Sequence, residues 1–121
     1  MRNKTLVIGA SDNEDRYAYK AVKKLRDNKY EVIAFGTRKG IIGDTEIQLD
    51  FPTDPETIDT VTLYIGPGRQ PEYYDKILAL KPRRVIFNPG TENELFEDML
   101  SENGIEATEA CTLVLLASKQ Y

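Results

Sequence analysis

The chain has 121 residues, and 16 Lys plus Arg against 20 Asp plus Glu leave a formal charge of −4 with no histidine at all. That length fits one domain over residues 1–121, and 40% hydrophobic with 30% charged residues is a globular mixture, not a disordered or membrane-embedded composition. An acidic balance argues against a nucleic-acid partner, and the missing histidine removes the commonest general base and a frequent metal ligand.

The first apolar run, Thr5-Leu6-Val7-Ile8, is β-branched and bounded by Gly9, as a buried strand would be. It stops at Ala10, short of a signal-peptide core, and no stretch approaches the roughly 20 apolar residues of a bilayer span. With a single cysteine, Cys111, there is no intramolecular disulfide, so the expected setting is cytoplasmic, with no membrane partner. Tyr17, Ala18, Ala21, Val22 and Leu25 recur at helical spacing and predict a helix ending near Asn28. Ser11 and Glu14 have the form of a capping box for it, with acidic residues early and basic ones late. Glu31 to Phe35 predicts a second strand closed by Gly36, and the alternation of Ile47, Leu49 and Phe51 a weak third one.

Pro52 to Glu56 reads as a loop, Val61 to Ile65 as a fourth strand, and Gly66-Pro67-Gly68 as its end. Pro71 suits the first turn of a helix with the stripe Tyr73, Tyr74, Ile77, Leu78, stopped at Lys81-Pro82. Arg84 to Phe87 is a fifth strand, Asn88-Pro89-Gly90 a turn, and Leu95, Phe96, Met99 and Leu100 the stripe of a helix that ends at Gly104. Ile105 to Thr108 predicts a short sixth strand, and Leu113 to Ala117 fits either a last helical turn or an edge strand. No internal repeat, low-complexity tract or linker interrupts the pattern. Strands alternating with helices imply an α/β, doubly wound fold: about five parallel strands with helices on both faces.

Four of these strands run into small or turn-forming residues: Gly9-Ala10-Ser11, Gly36-Thr37, Gly66-Pro67-Gly68 and Asn88-Pro89-Gly90. In an open parallel sheet all four lie at the carboxyl edge, where such sheets bind ligands. The first loop has glycine only at its first position, so it departs from the dinucleotide fingerprint. After the second strand, where that fingerprint expects an acid, stand Arg38 and Lys39, which suit a ribose carrying a phosphate. The 3′-phosphate of coenzyme A and the 2′-phosphate of NADP meet that demand equally. Asp12, Glu14 and Asp15 oppose an anion at the first helix start, and Arg16 offsets part of their charge.

Val7-Ile8-Gly9-Ala10-Ser11, Asn88-Pro89-Gly90-Thr91-Glu92-Asn93-Glu94 and Gly104-Ile105-Glu106 leading to Glu109-Ala110-Cys111 together resemble the small, stand-alone CoA-binding domain proteins. That family is similar in fold to the CoA-binding domain of succinyl-CoA synthetase, Rossmann-like without the usual glycine triplet. The resemblance implies that Gly9, Ala10 and Ser11 cradle a pyrophosphate with Arg16 beside them. It places Arg38 and Lys39 at the family's basic position, Ile65, Gly66 and Pro67 under the nucleotide, and Asn88, Pro89 and Gly90 against the pantetheine arm. At Gly36-Thr37 the chain departs from the Asn-Pro common in the family.

The function this implies is non-catalytic binding of coenzyme A or an acyl-CoA, a small-molecule nucleotide cofactor. The alternatives are an NADP-linked oxidoreductase or redox sensor in the same crevice, and an interaction module whose pocket is vestigial. Cys111 reads either as a thiol facing the coenzyme or as a small buried hydrophobe. Glu94 and Glu109 are candidate paired carboxylates, although Glu94 also suits a first helical turn. Tyr17 has a stacking role as its outside reading. No metal-ligand spacing and no catalytic set is found.

Overall fold

A computed structural model describes residues 4–121. The strand β1 (Lys4–Ile8) lies between β2 (Glu31–Phe35) and β5 (Ile58–Leu63), parallel to both. Its side chains therefore leave to two covered faces, which is why Leu6-Val7-Ile8 is uniformly apolar and does not alternate. Leu6 and Ile8 join one core cluster and Val7 the other. Beyond β5 follow β6 (Arg84–Phe87) and β7 (Glu106–Glu109), both parallel. Beyond β2 lies β4 (Thr45–Gln48), parallel to it, and β3 (Ile41–Ile42) pairs antiparallel at the edge. The sheet has seven strands in the order β3-β4-β2-β1-β5-β6-β7.

Without the edge hairpin this is the strand order of the doubly wound nucleotide-binding sheet, and it reverses direction between β1 and β5. One face carries α1 (Tyr17–Asp27) and α4 (Thr112–Ala117), packing Val22, Leu25 and Leu116 onto Val7 and Ala34. The other carries α2 (Tyr74–Leu80) and α3 (Glu94–Glu102), packing Ile77, Phe96 and Leu100 onto Leu6, Leu63 and Phe87. The expected single-domain, mainly parallel α/β architecture is present, and the tail left open between helix and strand forms α4.

Some local expectations hold and several are corrected. The loop expected at Pro52 to Glu56 is present, in the segment that crosses from β4 to β5 and contains Pro52 and Pro55. Phe51 pins that loop by packing against Phe35 and Tyr73, at ring separations of 5.1 and 5.6 Å. The third expected strand ends at Gln48, so Leu49 is 45% exposed, and the fourth starts at Ile58 instead of Val61. The capping box at Ser11 and Glu14 does not form. Arg16 is the N-cap of α1, without a side-chain cap and without acids in the first turn. Instead Ser11 Oγ accepts from the Asn13 amide and Asn13 Oδ1 from the Asp15 amide, which spends these polar groups on a turn. Tyr17, expected in the apolar stripe of α1, is 67% exposed.

The carboxyl edge is held from beneath by buried polar groups. Asn88, directly after β6, is 2% exposed. Its Nδ2 donates to Thr62 Oγ1 at 2.6 Å and to the Leu63 carbonyl at 2.8 Å, and its Oδ1 accepts from the Thr112 amide at 2.9 Å. One side chain thus joins β5, β6 and the start of α4, and Thr62 and Thr112 bond to each other at 2.7 Å. Gln70 is 0% exposed and donates to the carbonyls of Ile65 and Thr91 at 3.1 and 2.8 Å, while Asn93 Nδ2 donates to its Oε1 at 2.9 Å. Asn88→Ala removes the partners of the Leu63 carbonyl and the Thr112 amide, each at a cost of about 1–3 kcal/mol. Chemical denaturation should record that loss with an unchanged denaturant slope.

Candidate functional site

Two loops part where the strand order reverses, one following β1 and one following β5, and a cleft of about 750 Å³ opens between them. Gly9 has φ +96°, and a Cβ there would lie 3.0 Å from the Tyr64 backbone. Only glycine lets β1 turn away this close to its neighbour. Gly36 sits under the first loop, where a Cβ would come within 2.5 Å of the Ala10 carbonyl oxygen. The loops after β1 and β2 are consequently stacked, and both face the cleft.

Of the residues singled out by sequence, Gly9, Ala10, Ser11, Arg16, Gly36, Thr37, Arg38, Ile65, Gly66, Pro89 and Gly90 line this one cleft. Lys39, Pro67 and Asn88 do not line it. Lys39 is exposed beyond Arg38, Pro67 begins a short 3-10 turn (Pro67–Arg69), and the polar atoms of Asn88 are committed to the interior bonds described above. Cys111 is half-buried just before α4 and is absent from the cleft wall. Glu94 lies in the first turn of α3. The carboxylate that faces Glu109 is that of Glu97, which burial and the Glu109 hydrogen bond hold above the usual carboxylate range.

The cleft also takes in residues that the sequence pattern did not single out for it. Phe35, Ile47 and Tyr73 supply an apolar wall, Asp12 one acid, and Arg69 a third cation beside Arg16 and Arg38. Arg69 was readable in principle as a lone cation between Pro67 and Pro71, just past a strand end. Tyr64 lines the cleft as well, and its hydroxyl is the one buried side-chain polar atom without a hydrogen-bond partner among the described residues. Burial pushes that phenol up to about 12, so it stays neutral at physiological pH.

The backbone donors around the cleft are partly in use, although the amides of Ser11, Asp12, Tyr17 and Ala18 have no acceptor among the described residues. The amides of Gly9 and Ala10 both donate to the Phe35 carbonyl at 3.0 and 2.9 Å, and that of Arg16 to the Asn13 carbonyl at 3.0 Å. On the opposite wall the amides of Arg69 and Thr91 donate to Gly66 and Asn88 carbonyls, and that of Gly90 to Glu92 Oε1. The guanidiniums differ in the opposite sense. Arg26 bonds Asp44, Arg83 bonds Asp59, and Arg84 bonds Thr60 and lies over the Tyr121 ring. Arg16, Arg38 and Arg69 have no carboxylate within bonding distance among the described residues. Also among these residues, no cluster of three or more acidic or cysteine side chains could hold a metal ion, and no helix is long and apolar enough to cross a membrane.

Comparison with known proteins places this geometry in a family. The CoA binding domain family matches residues 3–117. A crystal structure of an uncharacterized protein is 47% identical over 100% of this chain and 99% of its own, with a TM-score of 0.94. At 21% identity the cell-free ID.343 protein from Thermus thermophilus shares the fold, with a TM-score of 0.86 over 99% of this chain and 91% of its own. A hypothetical protein from Pyrococcus horikoshii OT3 does so at 20% identity and a TM-score of 0.85, over 98% and 84% of the two chains. No curated protein matches. The matched span and the close crystallographic relative together establish that the chain belongs to the CoA binding domain family.

Proposed function

We propose that the chain binds coenzyme A or an acyl-CoA non-covalently in the cleft between the loops that follow β1 and β5. The observation that carries this reading is the set of three arginines without carboxylate partners, each from a different strand-end loop, around one cleft. Coenzyme A carries three phosphates, and a guanidinium meets a phosphate through charge-assisted, bidentate hydrogen bonds. Family membership supports a coenzyme A ligand over other phosphorylated nucleotides.

In this reading the ribose lies along Gly36 and Thr37, with Arg38 on its 3′-phosphate. Lys39, exposed outside the cleft wall, adds long-range attraction without touching the ligand. The adenine packs against the apolar wall of Phe35, Ile47 and Tyr73. Ile65, Gly66, Pro89 and Gly90 border the path of the pantetheine arm, and Gly66 leaves open space where a side chain would stand.

Isothermal titration with coenzyme A, dephospho-coenzyme A, NADP and NAD tests the reading directly. Coenzyme A should bind at micromolar or tighter affinity and ahead of the other three. Heat for NADP with none for coenzyme A would replace the reading by a redox role, and silence for all four would make the pocket vestigial. Reversing the charge with Arg38→Glu and Lys39→Glu together should weaken coenzyme A more than dephospho-coenzyme A, by about tenfold or more, the worth of one charge-assisted hydrogen bond. Equal weakening of the two ligands would place the 3′-phosphate elsewhere.

A further inference from the structure

The diphosphate of a nucleotide held at the switch point of such a sheet ordinarily meets the amides of the first loop and the following helix start. Here part of that loop's donors are already taken. The amides of Gly9, Ala10, Asn13, Asp15 and Arg16 all donate to groups of the protein itself. The second wall repeats the arrangement, since the amides of Arg69, Gln70, Gly90 and Thr91 are bonded internally too. The amides of Ser11, Asp12, Tyr17 and Ala18, which also line the cleft, have no acceptor among the described residues.

To these the walls add guanidinium. Arg16 stands at the start of α1 on the β1 side, and Arg69 in the turn after β5 on the other. Neither is bonded to a carboxylate among the described residues. The backbone under Arg69 is fixed by prolines at 67 and 71 and by the fully buried Gln70, whose side chain ties the turn to Ile65, Thr91 and Asn93. A cation rooted in an anchored turn, with its side chain free, is suited to receive an anion without loop rearrangement. We propose that Arg16 and Arg69 grip the ligand's diphosphate from opposite walls, so that side-chain charge adds to the amides left free at the first loop and helix start. The inference rests on the coenzyme reading above for the ligand's identity. Its chemistry, a diphosphate diester, is shared by coenzyme A, NADP and NAD.

The test is to titrate Arg69→Ala, Arg69→Lys and Arg16→Ala with coenzyme A and dephospho-coenzyme A, beside the unaltered protein. Both arginine side chains are exposed and without a carboxylate partner, so melting temperatures should stay within about 2 °C of the parent, as for surface substitutions of small free-energy effect. Each alanine variant should bind about tenfold to a hundredfold more weakly, by the same factor for both ligands, because both carry the diphosphate. Arg69→Lys keeps the charge without the fork and should fall between parent and alanine. Unchanged affinity in either alanine variant overturns the grip, and so does a weakening confined to coenzyme A, which would assign that arginine to the 3′-phosphate. If the unaltered protein ignores both ligands but takes NADP or NAD, the coenzyme reading fails, and the same variants with that dinucleotide decide the grip. Silence toward all four ligands overturns both.

Discussion

The side chain of Asn88 is the constraint on which the carboxyl edge depends. It reaches two neighbouring elements at once: Nδ2 holds Thr62 and the Leu63 carbonyl at the end of β5, and Oδ1 holds the amide that begins α4. A carboxamide donates and accepts in one rigid plane, so aspartate or leucine cannot replace it without orphaning a buried group. Because β6 ends just before this residue, the turn Pro89-Gly90 is carried outward to the cleft as a consequence of an interior bond. Gln70 acts likewise under the turn after β5, and its bond to the Thr91 carbonyl links the two loops. The cleft wall on this side is therefore rigid for reasons that lie beneath it.

Charge is distributed on the same principle. The chain carries a formal −4, yet Arg16, Arg38 and Arg69, without carboxylate partners, meet at one cleft, while of the other described arginines Arg26 and Arg83 are bonded to Asp44 and Asp59 and Arg84 to Thr60. A local positive patch on an acidic protein attracts a small polyanion into the cleft and offers little to an extended one such as nucleic acid. Asp12, the one acid in the cleft wall, is packed against the backbone of Gly40, where a Cβ would lie 2.7 Å from its Oδ2. Its carboxylate is thus drawn toward the loop after β2.

Those parts of the molecule set by short-range pattern were legible in the sequence. The apolar run of β1, the stripe Ala18, Ala21, Val22 and Leu25, and glycines at the strand ends all follow from burial and steric rules that act within a few residues. They sufficed to place half of the lining residues on one edge. The capping box at Ser11 and Glu14 was not realised, since Ser11 met a nearer partner in the Asn13 amide. The roles of Asn88 and Gln70 could not be read because their partners, Thr112, Leu63 and Thr91, are remote along the chain. Arg69 escaped for a related reason: its importance comes from lying across the cleft from Arg16, which only the reversal of strand order between β1 and β5 brings about.

An anchored backbone with free cationic side chains has a consequence for selectivity. The loops need not be ordered on binding, so the main local conformational cost is the immobilisation of each arginine, about 0.5–1.5 kcal/mol for a flexible side chain. A charge-assisted hydrogen bond contributes about 1.5–3 kcal/mol. An arginine that meets a phosphate therefore gives a net gain, and one that is ordered without meeting a phosphate gives a net loss. Discrimination in such a cleft follows the number and placement of the ligand's phosphates more than the shape of its neutral parts. The internal bonding that fixes the turn under Arg69 thus leaves the choice of ligand largely to charge.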